Sequence, residues 1–221
     1  MSAADTTIRA IRVRLTGPQR REQLLGVALT LFAERGIDGT SVEEIAAAAG
    51  VSKPVVYEHF GGKEGLYAAV VEREARRLDD AIQAALAGES GGSRALIERG
   101  AVALLDYIDE RPTGFRVVSR DSSAGGSYAD VMSDVADRVE NVLRGPLGRR
   151  GFDPDLAMPF SRALVGLVAA AGQAWLETRR PPKAVLATEL VNLAWNGLAN
   201  LEQPPDAAVG PGQAQTSRAR S

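Results

Sequence analysis

The side chains best suited to contact a nucleic acid lie in one short stretch, TSVEEIAAAAGVSKPVVYEHF at residues 40–60. Lys53 and Tyr57 are four residues apart, so a helix would place them on one face, with Pro54 in its first turn. Val56 and Phe60 have the same spacing and would lie on a second, buried face. A helix with one polar outer face and one apolar inner face can enter the major groove of DNA. The stretch therefore indicates recognition rather than catalysis.

The rest of the chain does not supply the residues that common catalytic or metal sites require. His59 is the only histidine and there is no cysteine, which excludes zinc clusters, thiol catalysis and a Ser-His-Asp arrangement. His59 itself could contact phosphate, pack beside Phe60, or titrate near neutral pH. The strings at 88–92 and 61–63 match parts of a nucleophile elbow and of a phosphate loop by chance, because the partner residues of both motifs are missing. No catalytic residue, metal site or cofactor is predicted.

Two short helices joined by a glycine turn must position these side chains. Thr40 as N-cap and Glu43 three residues later predict a capping box at the start of the first helix. Gly50 ends that helix because glycine adopts the left-handed conformation at little cost. Ser52 can then cap the second helix. A pair of surface helices that only packs is the alternative, but such a pair does not need this order of cap, glycine and cap.

The pattern T-S-V-x-x-I-A-x-x-A-G-V-S-K-x-x-x-Y-x-H-F, followed by G-G-K-E-x-L, resembles the tetracycline-repressor-like (TetR) family of bacterial transcription regulators. The resemblance covers residues 20–71, and beyond them only the all-helical character fits. It implies an all-α fold with an N-terminal three-helix helix-turn-helix DNA-binding domain. A C-terminal helical bundle for effector binding and dimerisation would follow.

The resemblance also implies roles for single residues. Positions that match base or groove contacts in the family are Lys53, Pro54, Val55 and Tyr57. Positions that match phosphate contacts are Thr40, Ser41, Ser52, His59 and Lys63. Val55 would offer apolar contact to a thymine methyl group. Glu43 and Glu44 depart from expectation, since they place acid near the DNA-facing end of the first helix and would limit non-specific affinity.

The domain organisation follows from composition and breaks in periodicity. Residues 1–17 form a flexible basic arm that either reaches a minor groove or is a solvated tail. We expect the helix-turn-helix domain at 18–64 and the effector and dimerisation domain at 65–202. The polar, Pro- and Gly-rich residues 203–221 predict a disordered tail. A long helix from Lys63 toward Leu86 would join the two domains as a lever.

From its composition we expect the protein to be soluble and cytoplasmic. The formal net charge is -2, so binding to nucleic acid by bulk charge is excluded. The absence of cysteine fits a reducing compartment, and the polar, Arg-rich first residues do not form a signal peptide. The most apolar run, at 163–176, is too short to cross a bilayer. No membrane partner is predicted.

The last two helices predict a homodimer. The segments from Asp155 to Arg179 and from Lys183 to Leu201 combine large apolar residues with small ones. Two such helices from each subunit would pack as a four-helix interface. The alternative is that they complete the core of a monomer. A twofold dimer would present two recognition helices to a palindromic, double-stranded operator.

A small-molecule effector is the remaining prediction. The candidate pocket wall consists of Tyr107, Phe115, Tyr128 and Trp175, which could equally be core residues. With no internal charge cluster, the effector should be apolar or amphipathic. The runs SKPVVYEHF and LYAAV resemble actinobacterial regulators of lipid metabolism, which implies a fatty acyl-CoA. The function expected is a ligand-responsive repressor; the alternative is a small-molecule-binding or scaffold protein with the same fold and no DNA function.

Overall fold

The computed structural model of the protein describes residues 15–87, 92–120 and 127–202. These residues form nine α-helices and one short 3-10 turn, which confirms the predicted all-α class. In chain order the helices are α1 (Gly17–Arg35), α2 (Val42–Ala49), α3 (Lys53–Phe60), α4 (Lys63–Leu86), α5 (Ser93–Glu110), α6 (Pro112–Arg120), α7 (Ser127–Arg149), α8 (Ala157–Thr178) and α9 (Lys183–Ala199), with the 3-10 turn Pro154–Leu156 before α8. The predicted arm up to residue 14 and the predicted tail at 203–221 lie outside the described residues.

Helix α1 is the base on which the two short helices pack. It begins at a capping box in which Thr16 accepts from the backbone N–H of Gln19 and the Gln19 side chain accepts from Thr16. Its inner face buries Leu24, Ala28 and Phe32. That apolar stripe at helical spacing is what packs α1 against α2 and α4.

Helix α4 belongs to both halves of the molecule. Its first turns bury Leu66 and Val70, and the Tyr67 ring meets Phe32 edge-on at 5.2 Å. Its later turns bury Leu78 and Ile82 among the helices of the C-terminal bundle. One hydrophobic core therefore runs without interruption from α1 to α9. A displacement of α4 would therefore change the packing in both halves of the molecule.

The C-terminal bundle surrounds α5, which packs against α4, α8 and α9, while α7 lies along α8. Helices α5 and α8 approach closely at Gly172, where a Cβ would lie 2.4 Å from Ile108 Cδ1 and would make that side chain shift. By length and composition alone, Pro154–Thr178 could cross a membrane, with a mean hydropathy of 1.2. In the fold this segment contacts α5 and α7.

Candidate nucleic-acid interface

The turn between α2 and α3 is built on Gly50, as the sequence predicts. Gly50 has φ 64° and ψ 35°, the left-handed conformation. The N–H groups of Gly50 and Val51 donate to the last carbonyls of α2, at Ala47 and Ala46, over 3.1 and 2.9 Å. Ser52 occupies the N-cap of α3, but its hydroxyl makes no capping hydrogen bond. That hydroxyl is exposed at the start of the recognition helix.

Helix α3 has the two faces that were predicted. Val56 is fully buried and Phe60 packs partly buried against the core. Lys53, Pro54 and Tyr57 are exposed, and Tyr57 is one of the few large apolar side chains at the surface, with 46% of it accessible. Val55 and His59 are half-buried at the borders of this outer face.

Two side chains of α1 contact the C-terminal ends of α2 and α3. Arg21 donates to the carbonyl of His59 over 3.0 Å, and its guanidinium lies 4.3 Å from the centre of the Phe60 ring. Gln23 donates through Nε2 to the carbonyl of Ala49 over 3.1 Å. Carbonyls at helix ends lack intrahelical partners, so these contacts fix both helices on α1. Sequence reasoning missed both residues, because no local pattern links α1 to helix ends so far along the chain.

The capping box of α2 starts one residue later than predicted. Ser41 is the N-cap, with φ -108° and ψ 157°, and its hydroxyl accepts from the N–H of Glu44 over 3.2 Å. The Glu44 carboxylate accepts in return from the Ser41 N–H over 2.9 Å. Thr40 is buried instead, and its hydroxyl donates to the carbonyl of Gly36 over 2.8 Å. The assignment to Thr40 and Glu43 was therefore wrong, because the turn before α2 already uses the Thr40 side chain.

The two acidic residues of α2 are each paired with a cation. Glu43 forms an ion pair with Lys53, and this hydrogen bond lowers the pKa of Glu43 and raises that of Lys53. The backbone N–H of Ser41 lowers the pKa of Glu44, which also pairs with Arg35 over 2.9 Å. The acid that seemed unfavourable next to DNA is thus locally compensated.

A polar cleft opens where α2 begins, α3 ends and α4 begins. Of the predicted phosphate contacts, Thr40, Ser41 and Lys63 lie around it, together with Tyr57. Gly62, with φ 139°, is the N-cap of α4 and supplies no side-chain cap to the first N–H groups of that helix. The lining also includes four acidic residues, Asp38, Glu43, Glu44 and Glu64, so an anion is favoured only next to Lys63 and the N-terminus of α4. The remaining predicted contacts, Ser52, Lys53, Pro54, Val55 and His59, lie outside the cleft on or beside α3.

The four aromatic residues predicted for an effector pocket lie in the bundle but not around one cavity. Phe115 and Tyr128 meet edge-on at 6.2 Å, and burial raises the pKa of Tyr128. The Tyr107 hydroxyl donates to the carbonyl of Glu74 over 3.0 Å, and burial raises its pKa as well. Trp175 donates through Nε1 to the carbonyl of Pro181 over 2.7 Å.

A different, wholly apolar cavity lies between α4, α5, α7 and α8. Its lining consists of Ile82, Leu86, Leu96, Ile97, Gly100, Ala101, Leu104, Met132, Val135, Val139, Leu164, Val165 and Val168. None of the four predicted aromatic residues is among them. Leucine, isoleucine and valine at helical spacing look the same in a sequence whether they fill a core or line a cavity, so no sequence signal separated these residues.

Comparison with known proteins agrees with this architecture. Residues 24–70 match the family described as "Bacterial regulatory proteins, tetR family", and residues 94–197 match "Tetracyclin repressor-like, C-terminal domain". The HTH-type transcriptional activator FasR of Mycolicibacterium smegmatis is 31% identical over 192 residues, covering 85% of this chain and 87% of that protein. The HTH-type transcriptional repressor KstR2 of Rhodococcus jostii is 51% identical over 47 residues, covering 21% and 23% of the two chains.

Solved structures share the fold over most of the chain. The crystal structure of a TetR-like transcriptional regulator from Rhodococcus sp. RHA1 superposes with a TM-score of 0.72 and 26% identity. The match covers 85% of this chain and all of that one, and therefore includes both the α1–α4 unit and the bundle. The chain belongs to the TetR family of helix-turn-helix transcription regulators, which are DNA-binding proteins and not enzymes.

Proposed function

We propose that the protein binds a palindromic, double-stranded operator as a homodimer and that an apolar or amphipathic small molecule changes this binding. The observation that carries the proposal is helix α3: it exposes Lys53, Pro54 and Tyr57 while Val56 is buried and Arg21 fixes the far end of the helix. This is the arrangement by which a recognition helix presents its first turns to the major groove.

The predicted contacts divide by position. Lys53, Pro54, Val55 and Tyr57 on α3 are proposed to meet base edges or the groove wall, whereas Ser41, Ser52, His59 and Lys63 at helix ends are proposed to meet phosphates. Thr40 is the exception, because its hydroxyl already donates to Gly36. We propose that the Thr40 side chain supports the turn before α2 and that only its backbone is left to contact a phosphate.

The dimer is proposed to form through α8 and α9. Both helices pack inward on the bundle yet expose apolar side chains outward, among them Met158, Val185 and Leu193. Only 22% of the most apolar window of α8 is buried within the chain. A twofold interface there would cover this surface and place two recognition helices about 34–36 Å apart, one turn of DNA.

The effector is proposed to enter the apolar cavity rather than a space between the four predicted aromatic residues. The free volume of this cavity is about 40 Å³, which is room for only a few water molecules. Ligand sites of about 300 Å³ or more are usual, so an effector would have to push the surrounding helices apart. Because Ile82 and Leu86 on α4 line the cavity, that expansion would move the helix that also contacts α3. A fatty acyl chain suits a lining with no charged residue.

We propose that the protein represses transcription and that it acts in the cytoplasm. The relatives include a transcriptional activator, FasR, and a transcriptional repressor, KstR2, so family membership alone does not fix the sign. A reporter gene placed behind the operator determines it directly. Higher expression on deletion of the gene supports repression, and lower expression supports activation.

The test of DNA binding uses duplexes selected by the full-length protein from a random library. We expect a palindromic consensus and salt-dependent binding in fluorescence anisotropy. Tyr57→Ala should cost about 1–3 kcal/mol of specific binding, while Val102→Ala on the exposed surface of α5 should not change it. Failure to enrich any sequence would favour the alternative of a binding protein that keeps the fold without DNA function. For the effector, palmitoyl-CoA is titrated into the complex, with coenzyme A alone as control.

A further inference from the structure

A charged side chain is buried where the two halves of the molecule meet. Glu74 on α4 is 1% exposed. One carboxylate oxygen, Oε1, accepts from Arg73 Nε over 3.0 Å and from Arg77 Nη1 over 2.7 Å. The other, Oε2, has no hydrogen-bond partner among the residues that the structure describes. A buried carboxylate is costly unless it is paired, so this one depends on the two guanidinium groups beside it.

The unpaired oxygen faces the backbone of α6. A Cβ at Gly114 would lie 2.5 Å from Glu74 Oε2 and 3.1 Å from its Cδ, so only glycine fits here without a shift. The Tyr107 hydroxyl on α5 donates to the Glu74 carbonyl and lies near the same position. Any movement of α6 toward α4 would therefore displace the Glu74 carboxylate.

Arg73 connects this carboxylate to the DNA-binding unit. Its Nε pairs with Glu74, its Nη1 donates to Glu22 on α1 over 2.8 Å, and its Nη2 donates to the carbonyl of Leu25 over 3.4 Å. The Arg73 side chain is 13% exposed and Glu22 is 60% exposed, so water screens this ion pair more than it screens the contact of Arg73 with the buried Glu74. Arg77 belongs to the same cluster, and its Nη2 lies 3.7 Å from Glu22 Oε1. The planar guanidinium spans both helices with one rigid group.

Helix α1 in turn contacts the recognition helix. Arg21, the neighbour of Glu22, donates to the carbonyl of His59 at the end of α3. On the opposite end of α1, Arg120 of α6 donates to the carbonyl of Ala33 over 2.9 Å. Arg73 on α4 and Arg120 on α6 are thus two of the polar side chains that reach α1, beside the direct packing of α4 and α6 against it.

We infer that Arg73 and Glu74 are positioning residues that transmit the position of α6 to α1, and through α1 to the recognition helix. The inference rests on the proposed function, since it concerns how the bundle controls DNA binding. It adds a second route beside the direct contact of α4 with α3. Each position of α6 against Glu74 would then favour a different orientation of α3. Coupling between the bundle and the DNA-binding unit requires such a difference in contacts between two states.

A double-mutant cycle on operator affinity tests the route. Gly114→Ala displaces the Glu74 carboxylate and should weaken binding of the selected duplex by about fivefold or more. In the Glu22→Gln background, where Arg73 no longer has a charged partner on α1, the same change should cost less than about twofold. Equal costs in both backgrounds overturn the inference. The matched control is Glu72→Gln, which removes an exposed ion pair with Arg76 on the same helix and should leave the cost of Gly114→Ala unchanged.

Hydrogen exchange supplies a second readout if Gly114→Ala does not fold. Because coupling is reciprocal, duplex binding to the wild-type protein should slow amide exchange in Pro112–Arg120. That slowing should be lost in Glu22→Gln and kept in Glu72→Gln. Retention of the slowing in Glu22→Gln contradicts the inference. Absence of any duplex binding by the wild-type protein contradicts the proposed function instead, so the two failures are distinguishable.

Discussion

Lys53, the first residue of the recognition helix, forms an ion pair with Glu43 on α2 in the free protein. Both side chains are well exposed, at 47% and 62%. A phosphate or base that binds Lys53 must therefore replace a carboxylate rather than only water. The pair keeps the cationic end of α3 in place and at the same time competes with DNA for it.

Removal of this competitor should strengthen DNA binding. Glu43→Gln is expected to raise affinity for random-sequence duplex about threefold, because Lys53 becomes free and one negative charge leaves the interface. Fluorescence anisotropy at two salt concentrations measures the effect. Glu72→Gln, which removes an exposed negative charge on α4, is the control for net charge. Unchanged affinity in Glu43→Gln would show that Lys53 stays apart from DNA in the complex.

Arg21 should matter through geometry rather than charge. It donates to the His59 carbonyl and stacks on Phe60, so Arg21→Ala is expected to weaken operator binding about threefold to tenfold, as loss of one such hydrogen bond would. Arg21→Lys tells the two roles apart, because lysine keeps the charge but lacks the planar fork. We expect the lysine variant to bind nearly as weakly as the alanine variant. Full recovery by lysine would instead indicate a direct phosphate contact.

Gly50 should contribute through backbone conformation alone. A Cβ added there would find open space, with no steric neighbour within 4 Å, yet the residue has φ 64°. Gly50→Ala is therefore expected to destabilise the protein by about 1–2 kcal/mol, the cost of the left-handed conformation. Gly50→Asn should cost less, since asparagine tolerates this region. Urea denaturation followed by circular dichroism measures both, and equal losses in the two variants would point to a steric cause.

The features that could be predicted from the sequence depend on neighbouring residues. Gly50, the faces of α3 and the bounds of α4 all follow from caps, glycines and helical periodicity. The start of α2 could not be predicted, because TSVEE contains two overlapping capping boxes, Thr40 with Glu43 and Ser41 with Glu44. The fold decides between them by burying Thr40. The sequence thus allows either capping box, and the tertiary contact that buries Thr40 selects the one at Ser41.

Contacts between distant segments were beyond prediction for a different reason. Arg21 and His59 are 38 residues apart, and Arg73 and Glu22 are 51 apart. No spacing rule connects them until the packing of the helices is known. The apolar cavity likewise draws its lining from four helices, each of which looks like ordinary core. None of the four aromatic residues predicted for a pocket lines this cavity.

The capping box of α2 should make stability depend on pH. Glu44 accepts the Ser41 N–H, which lowers its pKa below the unfolded value of about 4.3. A lowered folded pKa stabilises the protein above the unfolded pKa, and this stabilisation is lost as pH falls through the folded value. The difference in melting temperature between wild type and Glu44→Ala should thus be larger at pH 7 than at pH 3. A pH-independent difference would contradict the role of the charged carboxylate; Glu98→Ala, at an exposed position of α5, is the control.

Leu193 on α9 offers the sharpest test of the dimer. Its side chain is 63% exposed in the single chain, and burial of a leucine contributes about 1.5–3 kcal/mol. A twofold interface contains each residue twice, so Leu193→Glu would bring two charges into it at once. We expect sedimentation velocity to show a folded monomer that binds single half-sites weakly. Val102→Glu, at an exposed valine of α5, should remain dimeric. A dimer that persists in Leu193→Glu with unchanged operator affinity would place the interface elsewhere than α8 and α9.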